Sequence, residues 1–248
     1  HYEPFASWHA TESKREMFTG MNEVEIRETH TGLGLETSVL YFILPNQPFS
    51  ALARRVTFRN LGTMPLELEV LDGLPALVPY GAGNQILKEM GRTLEAWMEV
   101  QHVETHVPFY KLRASAGDAA EVAAIQAGNF AMAFSSKGDL YPTLADPALV
   151  FGYDTAFTHP QHFIARGLDS VLGQHQVWEG RTPCAFFGAH LALDPEQSQT
   201  ITSLYGTVSS YPVIEQHAKQ LASAGFIDTR LNEARTLTHP ECKSLSKW

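Results

Sequence analysis

The sequence is short of positive charge. Eighteen Lys and Arg stand against 27 Asp and Glu, a formal net charge of -9 with a pI near 5.6. Nucleic-acid binding draws most of its affinity from cations clustered on phosphates, yet the longest basic run is the pair Arg54-Arg55. The balance argues against a nucleic-acid partner. No apolar run approaches the roughly 20 residues that cross a bilayer as a helix, so no membrane partner is expected. Cysteine is nearly absent: Cys184 and Cys242 lie far apart, no disulfide framework is possible, and a reducing, cytoplasmic setting follows. Cys184 sits in the apolar run CAFFGAHLAL and reads as a small buried thiol. Catalytic signatures are missing too. There is no GxxxxGK[ST], GxSxG, HExxH or CxxC, and Gly32-x-Gly34 and Gly81-x-Gly83 fall short of a dinucleotide fingerprint. The chain opens HYEPF, without initiator Met or signal peptide, which reads as a fragment of something longer.

What is present is core-forming residue and alternation. With 44% hydrophobic residues over 248 positions, one large domain with a well-covered core is the default. In VTFRNLGTMPLELEVLDGLPALVPYG, Val56 and Phe58 alternate with Thr57 and Arg59, and Leu66, Leu68 and Val70 with Glu67 and Glu69. This predicts two strands joined at NLGTMP as a hairpin with one wet face. SVLYFIL carries apolar residues in both phases: Val39, Tyr41 and Ile43, then Leu40, Phe42 and Leu44. That strand should be covered on both sides. Arg54 shares phase with Val56 and Phe58, so it should point inward and meet a carboxylate or several backbone carbonyls, with Arg55 on the opposite face. Further strands are expected at LEAWMEV, NFAMAFS, CAFFGAHLAL and QTITSLYG, together forming two packed antiparallel sheets over residues 1–211. After Pro212, Ile214, Ala218 and Leu221 take helical spacing, and Asp228 is a candidate N-cap. Residues 212–248 are therefore read as a helical segment leaving the sandwich.

Three features invite a chemical reading. If HVETH, residues 102–106, were a strand, His102, Glu104 and His106 would share a face. The outer pair would then stand about 13 Å apart, too far for one ion without a further strand; a bulge at the phase change is the structural alternative. His102 or His106 with Glu104 would also suit an epimerase-like acid/base couple. The carboxylate pairs Glu67/Glu69 and Glu95/Glu99 lie on polar strand faces and read as solvated. Trp97 falls in the polar phase of its strand, which suits either a stacking platform for a sugar ring or a site covered by another element, cover being favoured.

The ordered phrases RRVTFRN, LELEVLDGLPALVPYG, LEAWMEV, VPFYKLRAS, GNFAMAFS, DPALVFG and FFGAHLAL...SLYG resemble the N-terminal β-supersandwich of glycoside hydrolase family 94, nearest its 1,2-β-oligoglucan phosphorylase branch, over about residues 18 to 210. The resemblance implies an all-β, galactose-mutarotase-like supersandwich with one or two linker helices leading to an (α/α)6 barrel. In such enzymes inorganic phosphate attacks the anomeric carbon while an aspartic acid protonates the departing oxygen, with neither metal nor organic cofactor. Those residues belong to the barrel, so none carries over and no catalytic residue is assigned here. The implied partners are a β-linked glucooligosaccharide, the barrel of the same enzyme and a second subunit in a homodimer. Tyr80, Asn84 and Trp97 are the candidate sugar contacts. A free-standing carbohydrate-binding or epimerase-like sandwich, a purely structural or dimerisation module, and a cyclic β-1,2-glucan synthase as parent remain open.

Overall fold

The computed structural model describes residues 1–9, 11–115, 123–237 and 246–247. Its strands are β1 (Ser13–Thr19), β2 (Glu23–His30), β3 (Leu35–Ile43), β4 (Ser50–Asn60), β5 (Leu66–Leu74), β6 (Met98–Gln101), β7 (Phe109–Leu112), β8 (Gly128–Ser135), β9 (Thr143–Leu144), β10 (Ala185–Leu193), β11 (Ser198–Val208) and β12 (Ser246–Lys247). The α-helices are α1 (Asn84–Met90), α2 (Pro147–Phe151), α3 (Gln161–Arg166), α4 (Leu168–Leu172), α5 (Tyr211–Leu221) and α6 (Phe226–Thr236). One sheet has the order β12-β1-β2-β3-β4-β11-β8-β7-β6, the other β5-β10-β9. Every ladder between these strands is antiparallel. The expected two packed antiparallel sheets are what the chain forms.

The hairpin expected at 56–70 is not formed. β4 pairs with β3 and β11, whereas β5 pairs with β10, so NLGTMP carries the chain from one sheet to the other. Alternation is satisfied equally by a hairpin and by such an arch, because in both the apolar residues share one side. The return crossing, from β10 to β11 through residues 194–197, lies beside the first. Asn60, wholly buried, fastens the two: its Nδ2 donates to the carbonyls of Met64 (2.8 Å) and Leu193 (2.9 Å), and its Oδ1 accepts from the Gly62 N–H.

Between the sheets, Val39, Val56, Phe58, Tyr110 and Ile201 of the large sheet meet Ala185, Phe187 and Leu191 of β10. The opposite face of the large sheet, with Phe42, Leu44, Phe130 and Leu204, is covered by Ile214 and Leu221 of α5 and Ile227 and Leu231 of α6. β3 is thus covered on both faces, as its two apolar phases require. The two C-terminal helices occur where helical spacing begins, but they fold back onto the sheet instead of leaving it, because their apolar stripes are the cover that face needs. Asp228 is not the N-cap of α6; Gly225 is, and Asp228 lies in the first turn, where its carboxylate is 2.7 Å from Arg55. A fourth layer, α2 to α4, packs Val150, Phe151 and Val171 on the outer face of the small sheet at Leu144 and Phe186.

Candidate functional site

The Pro- and Gly-punctuated loop after β5 bridges the two sheets. The Leu77 N–H donates to Pro183 O at 2.8 Å, next to the small sheet. Tyr80 then joins β7 of the large sheet: its N–H donates to Tyr110 O (3.3 Å) and its carbonyl accepts from the Leu112 N–H (2.9 Å). Gly81 follows at φ +95°, a conformation that suits glycine, and the chain turns into α1. Along this turn an open groove of about 530 Å³ is lined by Tyr80, Asn84, Leu87 and Asn129. Tyr80 is 39% exposed, and Asn84 is exposed at the first position of α1.

Trp97 does not share that groove. LEAWMEV is not one strand: residues 91–97 form a 3-10 helix and only 98–101 extend, so the strand phase that placed Trp97 on a wet face does not apply. The indole is partly buried against a cluster containing Leu94, Met98 and Leu112, with Ala82 and Leu87 of the loop and α1 on the same cluster. Covered by another element, it backs the loop from beneath. Glu95 accepts from the Thr182 hydroxyl (3.1 Å), while Glu99 lies 3.4 Å from the Lys111 ammonium.

HVETH is not a strand either. Val103–Thr105 is a 3-10 turn flanked by His102 and His106, both left-handed at φ +60°. The three side chains therefore share no strand face. The His102 ring stacks on Tyr211 at the start of α5, centroids 3.5 Å apart and planes at 9°, and the Thr105 hydroxyl lies 3.0 Å from the Tyr211 hydroxyl. The motif docks a helix. Among the described residues no group of three or more His, Cys, Asp or Glu is placed to hold a metal ion, and no helix is long and apolar enough to cross a membrane.

A second cavity, of about 470 Å³, runs along the free edge of β5 and wraps both its faces. Its inner lobe lies between β5 and the large sheet, with Thr37, Arg54, Phe58 and Asp72 in its walls and residues 1–5 over its mouth. Arg54 points inward, as its phase demands, and its Nη1 donates to Asp72 Oδ1 at 2.6 Å; its Nε donates to the Tyr41 hydroxyl at 3.2 Å. Burial works against the guanidinium charge, but the Asp72 carboxylate outweighs it and holds the pKa above the ordinary arginine value. The covering segment is tied down by Glu28, wholly buried on β2, which accepts from the Tyr2 hydroxyl, the Phe5 N–H and Arg15. Alternation alone located Arg54; it had no means of locating Glu28, whose partners lie 13 to 26 residues away in sequence. Cys184 is fully buried, its thiol donates to Leu144 O at 3.3 Å, and burial pushes its pKa well up; Cys242 lies outside the described residues.

Fold and grooves together define a two-layer antiparallel β-sandwich with helical cover. No protein-family model and no curated protein matches the sequence. Among solved structures, a polysaccharide lyase aligns over 84% of this chain and 27% of its own, at 12% identity and TM-score 0.35. A chain described as "Putative kojibiose phosphorylase from human microbiome" aligns over 92% and 26%, at 10% identity and TM-score 0.26. Both are carbohydrate-active enzymes by name, and this chain spans about a quarter of the length of each.

Proposed function

We propose that this chain is the carbohydrate-associated sandwich module of an inverting β-glucoside phosphorylase acting on β-1,2-glucooligosaccharides. The observation that carries the reading is the loop of residues 75–83, which bridges the sheets and runs into α1 so that Tyr80 and Asn84 line one open groove. An exposed tyrosine ring offers a face for the CH side of a sugar, and the Asn84 and Asn129 amides offer donors and acceptors for its hydroxyls. In this reading the groove borders the substrate path, while acid and phosphate chemistry belong to an (α/α)6 barrel, with inorganic phosphate as co-substrate. Such a barrel requires about a dozen helices; the six among the described residues are no longer than 11 residues and serve as cover for the sheets. The chain on its own neither phosphorolyses nor synthesises the glucan, and its setting is the cytoplasm.

Titration of the chain with sophorose-type oligosaccharides, followed by calorimetry, tests the reading. Saturable binding that Tyr80→Ala removes is expected. Phosphate-dependent release of glucose 1-phosphate by the 248-residue chain would refute the division of labour. One observation favours a second reading, a structural module that packs on another domain or subunit. Met21, Val24, Ile43 and Leu237, all exposed apolar side chains, border one open cavity between β2, β3 and the end of α6. A scaffold of that kind leaves the titration flat.

A further inference from the structure

We propose that the inner lobe of the β5 cleft is a binding site for one uncharged, polyhydroxylated ring, a neutral monosaccharide or a cyclitol, distinct from the Tyr80 groove and independent of the function proposed for it. The starting point is an orphan. Thr37, on the inward phase of β3, is 1% exposed, lines the cleft, and its buried hydroxyl has no hydrogen-bond partner among the described residues. Buried polar groups are nearly always paired, so an unpaired one at a cavity wall asks for a partner from outside the fold. Arg54 supplies a second open valence. Its Nε and Nη1 are engaged by Tyr41 and Asp72, while no hydrogen bond is formed by Nη2 within the described residues. The Asp72 carboxylate adds an acceptor beside the guanidinium, and Thr37 lies four strand positions further along the same inner face, opposite Phe58.

Charge selects against ions. Arg54 is neutralised by Asp72 at the floor and Glu3 stands at the same cleft, whereas Glu67 and Glu69, on the opposite phase of β5, belong to the outer lobe, where Glu69 accepts from the Leu168 N–H. An anion finds the guanidinium already paired and Glu3 beside it, and a cation finds the Asp72 carboxylate already taken by Arg54. A neutral ligand meets neither cost. The walls of the inner lobe, Phe58 with Phe5 and Val56, are apolar, and a ring with hydroxyls at its edge and CH groups on its faces matches such walls over a polar floor. The whole cavity, inner and outer lobes together, is about 470 Å³, within the range of small-molecule sites. An added peptide strand on β5 is the competing occupant, since among the described residues that edge carries no ladder. Residues 1–5 already line this cleft, and a strand would not supply a partner for the Thr37 hydroxyl by design, so the ring is favoured.

The test uses the whole chain and heteronuclear NMR with calorimetry, with methyl β-glucoside, myo-inositol, glucuronate and an alternating Val–Lys peptide as probes. Saturable binding of at least one neutral ring is expected, with shifts centred on Thr37, Arg54 and Phe58. Thr37→Val should weaken it roughly tenfold or more, Thr37→Ser should restore it, and Tyr80→Ala should leave it unchanged. The two neutral probes tell a sugar from a cyclitol. The proposal is overturned if neither neutral ring binds, if glucuronate binds as well as methyl glucoside, if Thr37→Val has no effect, or if only the peptide binds. Loss of ring binding on Tyr80→Ala alone also overturns it, and would leave the function proposed for the loop groove standing.

Discussion

The Arg54 guanidinium and the Asp72 carboxylate meet across the gap between the two sheets, Nη1 to Oδ1 at 2.6 Å. Arg54 comes from β4 of the large sheet and Asp72 from β5 of the small one, and their side chains are only 18% and 10% exposed. The Arg54 guanidinium also lies 5.8 Å from the centroid of the Tyr41 ring, within reach of a cation–π contact. An ion pair in this position pins two layers whose other contacts are chiefly apolar, the Asn60 bond to Leu193 O being a polar one.

Breaking one half of that pair strands the other charge. Arg54→Met is expected to destabilise the chain by about 3–5 kcal/mol, as is usual when one partner of a buried pair is removed. Arg54→Met combined with Asp72→Leu should recover much of the loss, because no uncompensated charge remains. Urea denaturation of the three variants decides the matter, and an unchanged midpoint for Arg54→Met alone would show the pair to be irrelevant to stability.

Gly81 sets the shape of the Tyr80 groove. At φ +95° a Cβ would stand 2.6 Å from Ile125 Cδ1, so an added methyl meets both backbone strain and a crowded neighbour. Gly81→Ala should cost about 1–3 kcal/mol and shift the amide resonances of Tyr80 and Asn84. If calorimetry finds the variant as stable as the parent, the turn does not need its left-handed geometry.

What the sequence made legible follows the period of the side chains. The two apolar phases of β3 correctly implied cover on both faces, and the phase of Arg54 implied its inward partner, because period-2 alternation fixes which face a residue takes. Alternation says nothing about which strand lies alongside, so the arch at NLGTMP read as a hairpin. Asp146-Pro147 carried an unread signal. Asp146 caps α2, accepting from the Ala148 N–H at 3.1 Å with Pro147 in the first turn, which is a helix start by local rules. HVETH failed for a different reason: His102 stacks on Tyr211, a contact more than 100 residues away in sequence, and no local period foretells a turn with both His102 and His106 left-handed. Of the candidate site, Tyr80 and Asn84 fall on one groove because the loop of residues 75–83 runs directly into α1, while Trp97 lies in a 3-10 helix and not in the strand expected there.

Asn60 provides a sharper test of the arches. Its amide donates to two carbonyls from different crossings and accepts from Gly62, so Asn60→Ala should cost about 2–3 kcal/mol by leaving those groups unpaired in the interior. Asn60→Asp, nearly identical in shape, should be no better, since a carboxylate has no donor for Met64 O or Leu193 O. Equal stability of Asn60→Asp and the parent in chemical denaturation would mean that packing, not these bonds, holds the arches together.

The covering segment over the β5 cleft should respond to acid through Glu28. Burial favours the neutral form of that carboxyl, but the Tyr2 hydroxyl, Arg15 and the Phe5 N–H outweigh it and hold its pKa below the ordinary 4.5. A group depressed in the folded state contributes stability that is fully present above its unfolded value and is lost as pH falls through its folded one. The parent should therefore exceed Glu28→Gln in stability above about pH 4.5, by about 1–3 kcal/mol for the loss of charge-assisted bonds, and the gap should narrow steadily below it. Hydrogen exchange at the Phe5 amide gives the local readout: protection high near neutrality, falling in acid in the parent and low throughout in Glu28→Gln. A stability gap that widens as pH drops below 4.5 would reverse the sign and contradict the assignment of Glu28 as the ionised anchor of residues 1–5.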